Sequence, residues 1–164
     1  MKYENATPAE VKLAQSPHNL FISAIFLFNL LMTPAVLALK IGMIGLLIPL
    51  LLSGALIAYI YLRSKKTTTW FVDMHWKISF SRGKLLMLGY AITTALIFLA
   101  WLISISTKDH NMSHIILTAL TRVALVPTVI LVLVTAVLEF GSFAQAGKRE
   151  VPDKLAAKFP PPAA

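Results

Sequence analysis

The chain has 164 residues, of which 57% are hydrophobic and only 13% charged, a balance too apolar for a water-soluble domain of this length. It contains no cysteine, which excludes disulfides, thiolate metal sites, iron–sulfur clusters and cysteine nucleophiles together. The net charge of +8 would raise nucleic acid as a partner for a soluble protein, but here Lys and Arg cluster at the ends of apolar runs, which points to a bilayer and not to nucleic acid.

Thr7-Pro8-Ala9-Glu10 has the form of a capping box with proline at the first helical position, so residues 1–16 are expected to hold a short helix. Ser16-Pro17 repeats the start signal and is expected to open the first membrane helix. A hydrocarbon core of about 30 Å needs roughly 20 apolar helical residues, and four stretches qualify: about 20–39, 41–62, 85–106 and 115–138. The fold class expected is therefore an all-α integral membrane protein, a four-transmembrane-helix bundle forming one membrane domain. Lys40 alone separates the first two spans, so they read as a hairpin bent by Pro34 and Gly42. The first span is longer than the apolar core of a cleaved signal peptide, and its lead contains Glu4 and Glu10, which favours a retained helix.

Membrane helices associate through small residues and shared hydrogen bonds. Candidate packing groups are Asn29 and Thr33 on the first span, Gly42, Gly45 and Ser53 on the second, Gly89 and Thr93 on the third, and Thr128 on the fourth. The fourth span also carries a polar stripe of Thr118, Thr121, Arg122, Thr128 and Thr135, ending at Glu139 on its inner edge.

Between spans two and three, residues 67–82 read as an interfacial aromatic-basic segment. From Trp70 to Ser81 the even positions are all apolar and the odd ones nearly all polar, which is the period of a half-buried strand. An irregular or helical segment lying in the headgroup layer, aromatics toward lipid and Lys77 toward phosphate, is the other reading. The tail at 141–164 ends in Pro160-Pro161-Pro162 and is expected to be extended and mobile.

Twelve basic residues, Lys2, Lys12, Arg63, Lys65, Lys66, Lys77, Arg82, Lys84, Lys148, Arg149, Lys154 and Lys158, fall on one side of this topology. Lys40 and Lys108 fall on the other, so the positive-inside rule places both ends in the cytoplasm, in a membrane such as the bacterial inner membrane. Arg63, Lys65, Lys66, Lys77, Arg82 and Lys84, with Arg122 inside span four, are the candidate contacts for anionic lipid or another anionic ligand. In the outer loop, Asp109, His110, Met112 and His114 could contribute to a copper or zinc site. No histidine lies within a span, so a membrane b-type haem is not expected, and His75 reads as an interfacial hydrogen-bonding group.

No phosphate-binding glycine loop, HExxH motif or catalytic constellation is present, and no cofactor is specified. The expectation is a non-catalytic subunit or assembly factor that meets a membrane-protein partner or a second copy. An electron-transfer or ligand-binding component using quinone, haem or metal, and a small oligomeric transporter or channel, are the alternatives.

Overall fold

The computed structural model describes residues 1–39 and 43–162, so Lys40, Gly42 and the tip of the expected hairpin lie outside it. The described residues form helices α1 (Pro8–Ala24), α2 (Thr33–Ala38), α3 (Leu47–Ser64), α4 (Trp70–Ser106), α5 (His110–Ala124), α6 (Val126–Gly147) and α7 (Asp153–Lys158). A π-helical segment, Ile25–Met32, joins α1 to α2, and a 3-10 turn, Met43–Leu46, leads into α3. Four helical stretches are long and apolar enough to cross a membrane: Pro8–Val36, Leu47–Ser64, Trp70–Ser106 and His110–Gly147. Only 22 to 28% of the apolar window of each is buried within the protein, so most of that surface faces outward, as lipid or a partner subunit would require.

The chain divides into two compact units, residues 1–83 with 136–164, and residues 84–135. In the first, α1 turns Ala14, Pro17, His18, Phe21 and Ala24 inward at three- and four-residue steps, the period of one helix face. Its N-terminus carries a full capping box: the Glu10 N–H donates to Thr7 Oγ1 at 3.2 Å, and the Thr7 N–H donates to Glu10 Oε2 at 2.7 Å. Ser16-Pro17 opens no new helix. Pro17 sits inside α1, which leaves the carbonyl of Leu13 without its helical donor. In the second unit, α5 and α6 are separated at Leu125, two residues before Pro127.

Two expectations are overturned. Residues 70–81 are not a strand but the first turns of α4, and Phe71, Val72, Met74, His75, Trp76, Ile78 and Ser79 are buried within the protein instead of turned to lipid. The alternation misled because His75 and Ser79, counted as polar and outward, share a helix face with Phe71 and are buried with it. The start of α4 is fixed by Asp73, whose carboxylate accepts from the Thr68 N–H at 3.0 Å and from Thr68 Oγ1 at 2.6 Å.

The segment after Gly141 is likewise not extended. Helix α6 runs on to Gly147 and closes with a Schellman motif, the Glu150 N–H donating to the Gln145 carbonyl at 2.8 Å and the Arg149 N–H to Ala146 at 3.1 Å. Arg149 takes the left-handed conformation this motif needs, with φ 59°. The chain then pairs antiparallel with residues 1–3, forms α7, and is held by the Trp70 indole N–H on the Phe159 carbonyl at 2.8 Å. Because a side chain in the left-handed region is strained, Arg149→Gly is expected to raise stability by up to about 1 kcal/mol, read as a higher thermal midpoint in detergent.

Candidate functional site

The fully buried polar groups of the first unit converge on one point. His18 comes from the inward face of α1, His75 from the second turn of α4 and Glu139 from α6, and each is 0% exposed. His18 Nδ1 lies 2.6 Å from Glu139 Oε2, and His18 Nε2 lies 2.9 Å from His75 Nδ1. The two imidazoles meet edge to face, at 88° between ring planes, so each nitrogen's lone pair or N–H lies along the line to its partner. Phe71, one turn before His75, packs edge-on against its ring at 4.8 Å and walls the group from water.

These contacts form a linear chain, Glu139 to His18 to His75. At its ends, Glu139 Oε1 has no hydrogen-bond partner among the described residues, and His75 Nε2 has none of regular geometry. The backbone of Glu150 is the polar neighbour on the His75 side. Around the chain, Ser79 Oγ donates to the Pro17 carbonyl at 3.4 Å, tying α4 to α1, and Ser142 Oγ donates to Leu138 within α6. Facing nitrogens and oxygens at 2.6 and 2.9 Å suit shared protons, whereas a metal ion would hold each of them at about 2.0 to 2.2 Å from itself. Among the described residues no group of three His, Cys, Asp or Glu is arranged to hold a metal ion.

The outer-loop residues do something else. Asp109 caps α5, its Oδ1 accepting from the N–H groups of Asn111 at 2.8 Å and Met112 at 3.2 Å, while His110, Met112 and His114 are exposed. Of the candidate anion contacts, Arg63 lies 5.2 Å from the Trp76 ring centre, Lys65 lies 4.2 Å from Tyr61 and Lys77 lies 4.1 Å from Phe159. Arg63 Nη1 and Arg82 Nε are buried atoms without a partner among the described residues; Lys66, Lys84 and Arg122 are exposed. Among the packing candidates, Asn29 Nδ2 donates to Ser53 Oγ at 3.4 Å and Thr33 Oγ1 to the Phe28 carbonyl at 3.0 Å, while Gly45 is buried. In the second unit Thr93 Oγ1 lies 2.8 Å from Thr128 Oγ1 and donates to the Ala124 carbonyl, and a Cβ on Gly89 would come within 3.1 Å of Leu131.

Sequence reading missed the site: it took His75 as an interfacial hydrogen-bonding group and Glu139 as an edge carboxylate, and it gave His18 no role. One signal was available: no Lys, Arg or His lies within a turn of Glu139 in the apolar run from Val132 to Ala146, so a buried carboxylate there needs a partner from elsewhere in the chain. No protein family, curated protein or solved structure matches this chain.

Removing one partner of a buried charged pair leaves the other uncompensated. His18→Leu is therefore expected to destabilise by about 3 to 5 kcal/mol, while His18→Leu/His75→Leu/Glu139→Leu, which removes every polar group, should cost far less. Unfolding midpoints of the two variants in detergent check the difference.

Proposed function

We propose that this chain is a four-span, non-catalytic membrane subunit that takes up and relays a proton through His75, His18 and Glu139, with both ends and residues 63–84 on the cytoplasmic side. The observation that carries the reading is that two imidazoles and a carboxylate, each fully buried, form one hydrogen-bonded chain at 2.6 and 2.9 Å. Groups that only join helices need not be ionisable, because burying an ionisable chain costs more than packing apolar side chains of similar volume.

The proton arithmetic is short. With Glu139 ionised and both imidazoles neutral, His18 donates through Nδ1 to Glu139, His75 donates through Nδ1 to His18 Nε2, and His75 Nε2 carries a lone pair. The buried group then holds one net negative charge, a costly state away from water. A proton arriving at His75 Nε2 lets the Nδ1 proton of His75 pass to His18 Nε2, and the Nδ1 proton of His18 pass to Glu139. One proton has entered, the net charge is zero, and the 2.6 and 2.9 Å contacts serve both states without a heavy atom moving. This sequence breaks no bond except those to protons, so the chemistry that uses the proton belongs to a membrane-protein partner or a second copy of the chain.

Both imidazoles change tautomer in that sequence, which is measurable. Imidazole ¹⁵N spectra in lipid nanodiscs, recorded across a pH series, are expected to show Nε2 of His18 and of His75 gaining protons together. Glu139→Gln, which cannot take the proton, should abolish the joint change. Two separate midpoints, or unchanged tautomers, overturn the relay.

Placement in the membrane is tested independently. The twelve-to-two split of basic residues between the two sides is what supports a common side for both ends. A single cysteine at position 110 should react with an impermeant reagent from outside, and one at position 68 only after the membrane is opened; the reverse pattern inverts the topology.

A further inference from the structure

The His75 end of the relay lies under the C-terminal segment, and that segment is built as a strap. After the left-handed turn at Arg149, residues 149–151 pair with residues 1–3: the Tyr3 N–H donates to the Arg149 carbonyl at 2.8 Å and the Val151 N–H to the Met1 carbonyl at 2.9 Å. Val151 is 1% exposed and Ala156 6%, so the segment covers protein interior instead of trailing in solvent. Its far end is pinned at Trp70 and by Lys77, whose ammonium lies over the Phe159 ring. Beneath it, Tyr3 stacks on Phe71 at 6.0 Å, and Phe71 packs on His75. Within this layer, Glu150 is the residue whose backbone neighbours His75.

We propose that residues 148–159 form a gate over the proton relay, closed in this structure, whose release gives water access to His75 Nε2. The inference rests on the relay proposed above and names its regulation. The fastenings are of the kind that opens locally: one antiparallel bridge, the Met1 ammonium on the Asp153 carboxylate and the Val151 carbonyl, one indole hydrogen bond, one cation on a ring and a six-residue helix, with a strained residue at the hinge. By contrast the relay itself is held by three helices and is fully buried. When the strap is closed, the Glu150 backbone occupies the position a delivering water would need, and lifting it requires no rearrangement of α1, α4 or α6. The charged groups of the surrounding layer are the Met1 ammonium, Lys2, Glu4, Asp73, Lys77, Lys148, Arg149, Glu150, Asp153, Lys154 and Lys158, none of them buried, so the histidines and Glu139 are the buried titratable groups that the strap covers.

The chain has no native cysteine, so the strap can be locked cleanly. Lys2 and Glu150 face each other as a non-hydrogen-bonded antiparallel pair, whose Cα atoms lie about 4.5 Å apart, within reach of a disulfide. The experiment is carbethoxylation of histidines by diethylpyrocarbonate in nanodiscs, read residue by residue by mass spectrometry, with exposed His110 and His114 as internal standards. Oxidised Lys2→Cys/Glu150→Cys is expected to slow modification of His75 at least about tenfold relative to the same protein after reduction. Trp70→Phe/Phe159→Ala, which keeps a ring at position 70 but removes the indole donor and the Lys77 stack, should accelerate it by a similar factor. Reaction at His110 and His114 should be the same throughout, which shows that the fold is intact. If the His75 rate is equal in the locked, reduced and released proteins, the gate is overturned. If the rate follows the strap but His18 and His75 do not change tautomer together, the relay falls and the strap is a cover with no proton to admit.

Discussion

The burial of the Glu139 carboxylate constrains the rest of the first unit. A carboxylate at 0% exposure needs a charged or strongly hydrogen-bonding partner, and none lies within a turn of it along α6. His18 supplies one, which obliges α1 to continue as helix straight through Pro17 so that position 18 reaches the interior. His18 in turn exposes a second ring nitrogen to the core, and His75 satisfies it, which obliges α4 to begin at Trp70 with its Phe71 and His75 face turned inward. The capping box at Thr7, the Asp73 contact with Thr68 and the bond from Ser79 to Pro17 are local consequences of holding those helices in place.

The outward surface follows a different logic. Side chains such as Leu31, Leu51 and Val137 are 64 to 70% exposed, an arrangement that water would penalise and lipid tails would not. With no hydrophobic drive between helices in lipid, polar contacts and close backbone approach have to join the spans. In the first unit that is Asn29 on Ser53; in the second it is Thr93 on Thr128 and on the Ala124 carbonyl beside the break at Leu125. Proline is accommodated by changes of helical pitch: a π-helical run precedes Pro34, and the helix breaks at Leu125 before Pro127.

How much of this was legible in the sequence depended on the range of the interaction. The four apolar stretches could be read because a run of about 20 residues is a local property, and the capping box could be read because its two halves are three residues apart. Residues 70–81 could be read as either strand or helix because polarity by residue type treats His75 and Ser79 as outward groups, when their partners are on α1. The strap after Gly147 was hidden because its fastenings join residues at opposite ends of the chain. The relay joins positions 57 and 121 residues apart, and no periodicity in a single stretch encodes that. What the sequence did hold was the unneutralised carboxylate at Glu139, a demand for a partner without its address.

That demand also separates a working group from a merely stabilising one. If three helices needed only to be held together, Leu or Phe at 18, 75 and 139 would do so with less desolvation, and an Asn or Ser pair such as Asn29 and Ser53 would fix their register. An ionisable chain is the more costly choice, and its cost changes with the number of protons it carries: unfavourable at net charge minus one, relieved at zero. A group whose burial energy changes with its proton count resists or favours protonation in step with whatever opens it to water. Placing such a group beneath a weakly fastened segment couples the position of that segment to the charge of the core, so a partner that binds the strap would alter proton occupancy at His18, His75 and Glu139 without touching any of them.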